Sequence, residues 1–252
     1  MSKKRPLKSG AEAFEAHFAQ LFGDRWPSLR LALAQPSEPQ ALVDGLLQAY
    51  YLDAASVRAA KALGVQPGDK VLDLCAAPGG KTLVLAQALA GTGSLTSNDL
   101  SSDRRARLHR VVDEHLPPAW RNNLRITGRD ATRWGLYEQN CYDRILLDAP
   151  CSSERHVVQS PKHLELWTLH RTKSLAQQGL ALLCAALEAL KPDGVLVYST
   201  CSISPTENEE VLDRFEGKRK GLWKLEELSM ESPDTHDGAG PLFWARLRKL
   251  PV

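Results

Sequence analysis

The chain has 252 residues, of which 43% are hydrophobic and 25% charged. This composition excludes a disordered or fibrous protein and fits one large domain, or one domain with a small appendage. The formal net charge of +2 means that a nucleic acid would have to be bound by a local basic patch. Five cysteines without a Cys-x-x-Cys pair argue against a structural zinc site and predict a reducing, cytoplasmic setting and no metal ion.

The first part of the chain has a helical pattern, with breaks at Trp26-Pro27 and at residues 35–39. We predict a short helical extension over residues 1–68, which ends in a turn at 64–69. The first ten residues are basic, but no apolar signal region follows them. The longest apolar stretch, 179–190, is shorter than the ~18 residues of a membrane span. We therefore expect no membrane association.

From residue 69 onward, short apolar runs alternate with helical patterns, which predicts an α/β domain with a doubly wound, mostly parallel sheet over residues 69–252. The predicted strands cover residues 71–74, 94–97, 124–127, 144–147 and 195–199, and the predicted helices cover 81–90, 104–116 and 175–190. We interpret the charged run 216–221 as a solvated loop. The alternating segment 240–248 is predicted to be a late strand at the sheet edge.

The first predicted strand leads into the sequence Asp-Leu-Cys-Ala-Ala-Pro-Gly-Gly-Lys-Thr at residues 73–82. In a doubly wound fold, ligands bind outside the carboxyl ends of the strands, where small residues and a helix amino end let a ligand approach the backbone. The spacing is neither that of a triphosphate-binding P-loop nor a strict G-x-G-x-x-G. Taken alone, this segment could equally be a tight connection.

Acidic residues follow four successive predicted strands. Asp99 lies 19 residues after Gly80, close to the spacing at which nucleotide-binding folds bind a ribose. Asp130 and Asp148 follow the next two strands, and Asp73 ends the first. A single acid could cap a helix, but four equivalent ones predict a ligand site. Carboxylates with little fixed positive charge favour a nucleoside or sulfonium ligand over a pyrophosphate.

Two cysteines lie in polar turns at strand ends, Cys151 after the fourth predicted strand and Cys201 after the fifth. A thiol in such a turn can be exposed, ionise and act as a nucleophile, and the nearby Lys81 would stabilise a thiolate. We interpret Cys141 and Cys184 as small apolar residues of the interior.

Together these segments resemble the RsmB/Nop/Sun family of S-adenosylmethionine-dependent RNA cytosine-5 methyltransferases. The resemblance rests on residues 73–82, on Asp-Ala-Pro-Cys-Ser at 148–152, and on Tyr-Ser-Thr-Cys-Ser at 198–202 followed by Glu207-Asn208-Glu209. It implies a Rossmann-like class I methyltransferase fold and S-adenosylmethionine as cofactor. The implied cofactor-binding residues are Cys75, Ala76, Ala77, Pro78, Gly79, Gly80, Lys81, Asp99, Arg104, Asp130 and Asp148.

The resemblance also implies the catalytic roles. Cys201 would add to carbon 6 of cytosine, because carbon 5 is a poor nucleophile until the ring becomes an enamine. Asp148 would protonate the ring nitrogen, Cys151 would assist release of the product, and Lys81 would orient the reacting groups. Leu52 departs from the family, since it stands where many members carry glutamine, and this puts a contact from that segment in doubt. The run 152–156 is more similar to the mitochondrial branch.

The resemblance implies a structured RNA substrate, ribosomal RNA first and transfer RNA next, with an unstacked target cytosine. We expect a monomer that an accessory protein or ribosomal subunit could assist. Two alternatives stay open: a catalytically idle RNA-binding ribosome-assembly factor, and a DNA substrate, against which the additional Thr200-Cys201 argues. Candidate RNA-binding residues are Lys3, Lys4, Arg5, Lys8, Arg25 and Arg30 in the extension, with Arg104, Arg105, Arg107 and Arg110 beyond it.

Overall fold

A computed structural model describes residues 9–236 and 238–251 of the protein. The strands are β1 (Pro39–Leu42), β2 (Tyr50–Asp53), β3 (Lys70–Asp73), β4 (Ser94–Asn98), β5 (Leu124–Thr127), β6 (Tyr142–Asp148), β7 (Leu190–Thr200), β8 (Trp223–Glu231) and β9 (Leu242–Lys249). The helices are α1 (Gly10–Phe22), α2 (Trp26–Ala34), α3 (Ala54–Ala62), α4 (Gly80–Leu89), α5 (Ser102–His115), α6 (Pro118–Arg121), α7 (Glu154–Gln159), α8 (Pro161–Glu165), α9 (Leu169–Ala189) and α10 (Glu209–Arg219). Short 3₁₀ helices cover Gly23–Arg25 and Ala131–Leu136.

The main sheet has seven strands in the order β5-β4-β3-β6-β7-β9-β8. Strands β3 to β7 pair in parallel, and β9 pairs antiparallel with both β7 and β8. The five parallel strands and the three long helices predicted from the sequence are confirmed. Because the strand order reverses between β3 and β6, the carboxyl ends of these strands open a crevice where ligands bind in such folds.

The late strand was predicted at the sheet edge, and this position is wrong. Strand β9 lies between β7 and β8, and the strand at that edge is β8, which was not predicted. The charged run was also misplaced, because residues 216–219 form the last turn of α10. Buried Val211 and Phe215 hold that helix against the sheet, so its charged end continues as helix into solvent.

The central strands are buried on both faces, as expected for a parallel sheet covered by helices. Leu72, Ile145 and Leu147 belong to the core on the α9 and α10 side. Val71 and Leu146 alternate with them and pack in the core with α3, α4 and α5. The sheet is therefore fixed from both sides, which holds its strand ends in a constant register.

The N-terminal part has its own apolar cluster, in which Phe14, Phe18 and Trp26 pack against Val157, Trp167 and Ile203. It also contains a two-stranded hairpin of β1 and β2, which was not predicted from the sequence. The break predicted at Trp26-Pro27 is confirmed, because α1 ends at Phe22 and Trp26 begins α2, where proline is favoured in the first helical turn. Lys3, Lys4, Arg5 and Lys8 lie outside the described residues.

No helix in the described part of the chain is long and apolar enough to cross a membrane. Within residues 9–236 and 238–251, no cluster of three or more His, Cys, Asp or Glu side chains is arranged to hold a metal ion.

Candidate active site

A cleft of about 450 Å³ opens at the carboxyl ends of β3 and β4. Four of the residues singled out from the sequence, Cys75, Asp99, Arg104 and Asp130, line it. Its remaining lining residues, not predicted from the sequence, are Leu74, Asn98, Leu100, Ser101, Ala131, Thr132, Pro150, Gln178 and Leu182. Three of these residues, Asn98, Leu100 and Ser101, lie within two positions of Asp99 in the chain. Their nearness to a predicted site residue could have been used to predict them. Gln178 and Leu182 reach the cleft from α9 and carry no local signal.

Asp99 is held rigidly at the end of β4. Its side chain is 5% exposed, and Oδ2 lies 3.2 Å from Nη2 of Arg104. The same oxygen accepts a hydrogen bond from the backbone N–H of Ala77 at 3.3 Å, and Oδ1 accepts one from Ser101 at 3.1 Å. Arg104 in turn donates to the carbonyl of Ala77 at 2.7 Å. One carboxylate thus ties the loop after β3 to the start of α5.

Asp130 also lines the cleft, directly before the 3₁₀ helix Ala131–Leu136. Its Oδ1 accepts hydrogen bonds from the backbone N–H and the hydroxyl of Thr132, at 3.0 and 2.7 Å. Asn98 fixes the preceding segment, because its Oδ1 accepts from the N–H of Arg129 at 2.8 Å and its Nδ2 donates to the carbonyl of Arg129 at 3.0 Å. Asn98, which directly precedes Asp99, thus links the segments that carry the two carboxylates.

The loop between β3 and α4 lines the cleft only with Leu74 and Cys75, at its beginning, and the rest of this turn shapes the site from behind. Ala76, Ala77, Pro78, Gly79 and Gly80 are absent from the cleft walls that the described residues form. Gly79 has φ +124°, and a Cβ added there would lie 2.9 Å from Cγ1 of Val111; one added at Gly80 would lie 2.9 Å from Cδ1 of Leu52. Small residues are required here because two layers of chain pack directly on this turn.

Lys81 and Asp148 form an ion pair beside the cleft, with Nζ 2.7 Å from Oδ2. Lys81 also donates to Oγ of Ser56 at 3.3 Å, and Ser199 donates to Oδ1 of Asp148 at 2.9 Å. Burial acts to lower the pKa of Lys81, but the charge and the hydrogen bond of Asp148 outweigh it and raise the pKa above its usual value. Lys81 therefore remains an ammonium group that fixes the Asp148 carboxylate.

The structure brings the two predicted cysteines into contact. The Sγ atoms of Cys151 and Cys201 are 2.9 Å apart, and the backbone N–H of Cys201 points to Sγ of Cys151 at 3.3 Å. The hydrogen bond from the Cys151 thiol lowers the pKa of Cys201, with further help from Ser153 and Lys81. The same hydrogen bond, together with burial, raises the pKa of Cys151. Cys201 is thus the thiol of this pair that ionises first.

Burial raises the pKa of three further ionisable groups. Burial, reinforced by the neighbouring carboxylates, raises the pKa of Cys75, which disfavours a thiolate there. Burial also raises the pKa of Asp73 to about 7, against the opposing hydrogen bond from Thr82. Cys184 packs against the core cluster under α9 and its pKa is raised by burial. Cys141 packs against the same cluster.

Comparison with known proteins places these features in a family. The family described as 16S rRNA methyltransferase RsmB/F matches residues 60–246. The 5-cytosine rRNA methyltransferase NSUN4 of Mus musculus is 44% identical, over 82% of this chain and 61% of that protein. The mitochondrial tRNA (cytosine(34)-C(5))-methyltransferase of Danio rerio is 39% identical, over 75% of this chain and 52% of that protein.

Solved structures give the same fold. NSun6 from Pyrococcus horikoshii with SFG is 30% identical and superposes with a TM-score of 0.69, covering 81% of this chain and 54% of that one. The crystal structure of PH0851 superposes with a TM-score of 0.81 at 21% identity, covering 98% of this chain and 69% of that one. The central sheet and its flanking helices are therefore those of a Rossmann-like class I methyltransferase, as predicted. The chain spans 44% to 61% of the length of the NSUN4 relatives it matches.

Proposed function

This chain belongs to the RsmB/F family of RNA cytosine-5 methyltransferases, and we propose that it transfers a methyl group from S-adenosylmethionine to carbon 5 of a cytosine in structured RNA. Ribosomal RNA is the first candidate substrate and transfer RNA the second, since relatives are named for each. The observation that carries the proposal is the contact between Cys151 and Cys201, at the edge of the sheet where Asp148 and Lys81 also pair.

The cleft fits S-adenosylmethionine in size and in chemistry. Its volume of about 450 Å³ lies in the range of small-molecule sites. Asp99 would accept hydrogen bonds from the ribose hydroxyls and Asp130 would lie near the adenine, with Cys75 and Arg104 in the same walls. When bound, the cofactor supplies an electrophilic methyl group on a sulfonium. The carboxylates also suit that positive charge.

Cys201 acts as the nucleophile in this proposal. Its lowered pKa increases the thiolate fraction, and the thiolate forms a bond to carbon 6 of the cytosine. Electron density then moves to carbon 5, which becomes nucleophilic enough to accept a methyl group. Lys81 limits the charge that builds up around the thiolate.

Asp148 handles the proton at the ring nitrogen of cytosine. Lys81 and Ser199 hold its two carboxylate oxygens, so the side chain has a fixed orientation. The Asp148 carboxylate held in this way can hydrogen-bond the edge of the base, and as carbon 6 is attacked a proton passes from the Lys81 ammonium group through Asp148 to the ring nitrogen.

Cys151 assists the release of the methylated base. After transfer, the proton on carbon 5 passes to water, the double bond between carbons 5 and 6 re-forms, and the bond between carbon 6 and Sγ of Cys201 breaks with its electron pair returning to Sγ. The Cys151 thiol is in hydrogen-bond contact with Sγ of Cys201, so it can stabilise the thiolate that departs. Loss of Cys151 is therefore expected to trap the covalent intermediate.

RNA binding is proposed for the extension of residues 1–68, beside the methyltransferase domain of residues 69–252. Arg25 and Arg30 are paired with Asp234 and Glu15, and Arg105 donates to the carbonyls of Asp99 and Leu100. In the described part of the chain, Arg107 and Arg110 on exposed α5 have no hydrogen-bonded or ionic partner. These two arginines are the best candidates for phosphate contacts.

We propose that the protein works in the cytoplasm. We also propose that it is a monomer, aided by an accessory protein or ribosomal subunit.

To test the proposal, we would measure the transfer of a tritiated methyl group to RNA from a strain that lacks the gene. DNA with the same sequence as one segment of that RNA serves as the comparison substrate. We expect 5-methylcytidine in RNA and no product in DNA. The Cys201→Ala protein is expected to be inactive, and the Cys184→Ala protein, altered far from the cysteine pair, to retain activity. Cofactor binding without methyl transfer to any cellular RNA or ribosomal subunit would instead favour the idle assembly factor, and transfer to DNA would overturn the substrate class.

A further inference from the structure

Two consecutive buried residues, Glu207 and Asn208, contact the immediate neighbours of different active-site cysteines. They lie between the end of β7 and the start of α10, and their side chains are 1% and 2% exposed. The hydroxyl of Tyr198 donates to the carbonyl of Glu207 at 2.6 Å, which anchors this turn to β7. Neither residue touches the cofactor cleft in the described structure.

Glu207 holds the Cys151 turn. Its Oε2 accepts a hydrogen bond from the backbone N–H of Ser152 at 3.0 Å, and it shares the hydroxyl of Ser152, 2.8 Å away, with Oε1 of Glu154. Ser152 directly follows Cys151 and is itself buried. Loss of this acceptor would leave a buried backbone N–H without its partner, which is costly in free energy. The Cys151 turn would therefore have to move to regain a hydrogen bond.

Asn208 holds the Cys201 turn from both sides. Its Oδ1 accepts a hydrogen bond from the hydroxyl of Thr200 at 2.5 Å, and its Nδ2 donates to the carbonyl of Ser202 at 2.9 Å. Thr200 and Ser202 are the residues immediately before and after Cys201. One planar amide thus fixes the chain on either side of this cysteine.

We propose that Glu207 and Asn208 are positioning residues with separate tasks: Glu207 places the Cys151 thiol for product release, and Asn208 places the Cys201 thiol for attack on carbon 6. The inference rests on the proposed function, because it assigns one step of that reaction to each residue. A third acidic residue of the same segment, Glu209, is exposed and has no hydrogen-bonded partner in the described residues. It therefore provides a matched control.

The test compares the covalent protein–RNA adduct on denaturing gels for full-length Glu207→Leu, Asn208→Leu and Glu209→Leu proteins, with Cys151→Ala as reference. We expect Glu207→Leu to accumulate adduct as Cys151→Ala does. Asn208→Leu should form adduct about 10²-fold more slowly, the effect of a small misplacement of a reacting group. Glu209→Leu should behave as wild type. Glu207→Gln retains an acceptor oxygen for Ser152 and should restore turnover.

Two milder variants keep the test informative if the leucine variants do not fold. Ser152→Ala removes one donor to Glu207 and should accumulate adduct, whereas Thr200→Val removes the donor to Asn208 and should slow adduct formation. The inference is overturned if Cys151→Ala accumulates adduct but the Glu207 and Ser152 variants have the same effect on the adduct as the Asn208 and Thr200 variants. If Cys151→Ala itself accumulates none, the proposed two-cysteine reaction fails, and the inference fails with it.

Discussion

At the scale of single residues, the surroundings of the two thiols favour ionisation of Cys201. The contact between the two thiols lowers the pKa of Cys201 and raises that of Cys151. Lys81 adds to the lowering at Cys201, and burial adds to the rise at Cys151. The pair can thus act in sequence, with one thiol ionised for attack and the other protonated for release.

Replacement of Cys151 by alanine is expected to raise the pKa of Cys201, because the hydrogen bond that contributes most to its lowering is lost. The rate of alkylation of Cys201 by iodoacetamide, followed by peptide mass spectrometry across a pH series, should therefore shift to higher pH. Cys184→Ala is the control and should leave the profile unchanged. An unchanged or lower midpoint in Cys151→Ala would contradict the assigned direction of the hydrogen bond.

Glu154 is expected to make the fold less stable as pH rises. Burial, aided by the charge of Glu207, raises its pKa to about 7, so between roughly pH 4.3 and 7 the folded state retains a proton that the unfolded state has lost. The free energy of unfolding then falls by up to about 1.4 kcal/mol per pH unit over this window, and the loss is complete above the folded pKa. Glu154→Gln cannot ionise and should show a smaller difference between pH 5 and pH 8.

The measurement is urea unfolding of wild type and Glu154→Gln at these two pH values. Asp73, whose pKa is also raised to about 7, acts in the same direction in both proteins, so the difference between them isolates Glu154. Glu209→Gln should keep the wild-type pH dependence. Equal pH dependence in wild type and Glu154→Gln would mean that this carboxyl ionises as it does in the unfolded chain.

At the scale of elements, the apolar runs of β3 to β7 identified the parallel strands because these strands are buried on both faces. Strand β8 escaped prediction because most of its side chains are exposed and its sequence, Trp-Lys-Leu-Glu-Glu-Leu-Ser-Met-Glu, is rich in charge. The hairpin of β1 and β2 is also largely exposed. Whether such a segment forms a strand depends on the strands with which it pairs. Those strands lie elsewhere in the chain, so the local sequence pattern does not reveal them.

The residues of the candidate site also differ in whether the local sequence reveals them. Asp99, Asp130 and Asp148 were predictable because parallel strands end at one edge of a sheet. Gln178 of α9 was not, because only the packing of that helix on the sheet brings it to the cleft. The contacts of Glu207 and Asn208 likewise depend on how the turn after β7 folds back.

The turn after β3 is expected to tolerate no side chain at Gly79. Its φ of +124° and the 2.9 Å separation between an added Cβ and Val111 predict that Gly79→Ala lowers the free energy of unfolding by about 1–3 kcal/mol. Gly217 is the control, because it lies on the exposed side of α10 and an added Cβ would have no atom within 4 Å. Gly217→Ala should stabilise the protein by roughly 0.5–1 kcal/mol. Urea unfolding of both variants checks this, and a neutral Gly79→Ala would contradict the packing described.

At the scale of the whole molecule, the N-terminal helices share a cluster with the catalytic half. The ring of Phe18 lies 5.3 Å from that of Trp26 and 5.9 Å from that of Trp167, and Ile203, two residues after Cys201, belongs to the same cluster. The extension therefore supports the segment that carries the nucleophile, in addition to any contact it makes with RNA.

Phe18→Ala is expected to lower the free energy of unfolding by about 3–5 kcal/mol in one cooperative transition, because this side chain is fully buried between the two parts. Tryptophan fluorescence and far-ultraviolet circular dichroism should give coincident urea curves for this variant. A separate early fluorescence transition, with the remaining secondary structure intact, would show instead that the extension unfolds independently.

Peptide mapping of a trapped adduct shows which cysteine bonds covalently to the target cytosine. RNA containing 5-fluorocytidine should trap the wild-type protein, because fluorine cannot leave carbon 5 as a proton does. Arg155 and Lys173 lie between the two cysteines, so trypsin releases them in different peptides. We expect the nucleotide on the peptide of Cys201. A nucleotide on the peptide of Cys151, or no covalent adduct with RNA that the protein methylates, would show that Cys201 is not the nucleophile.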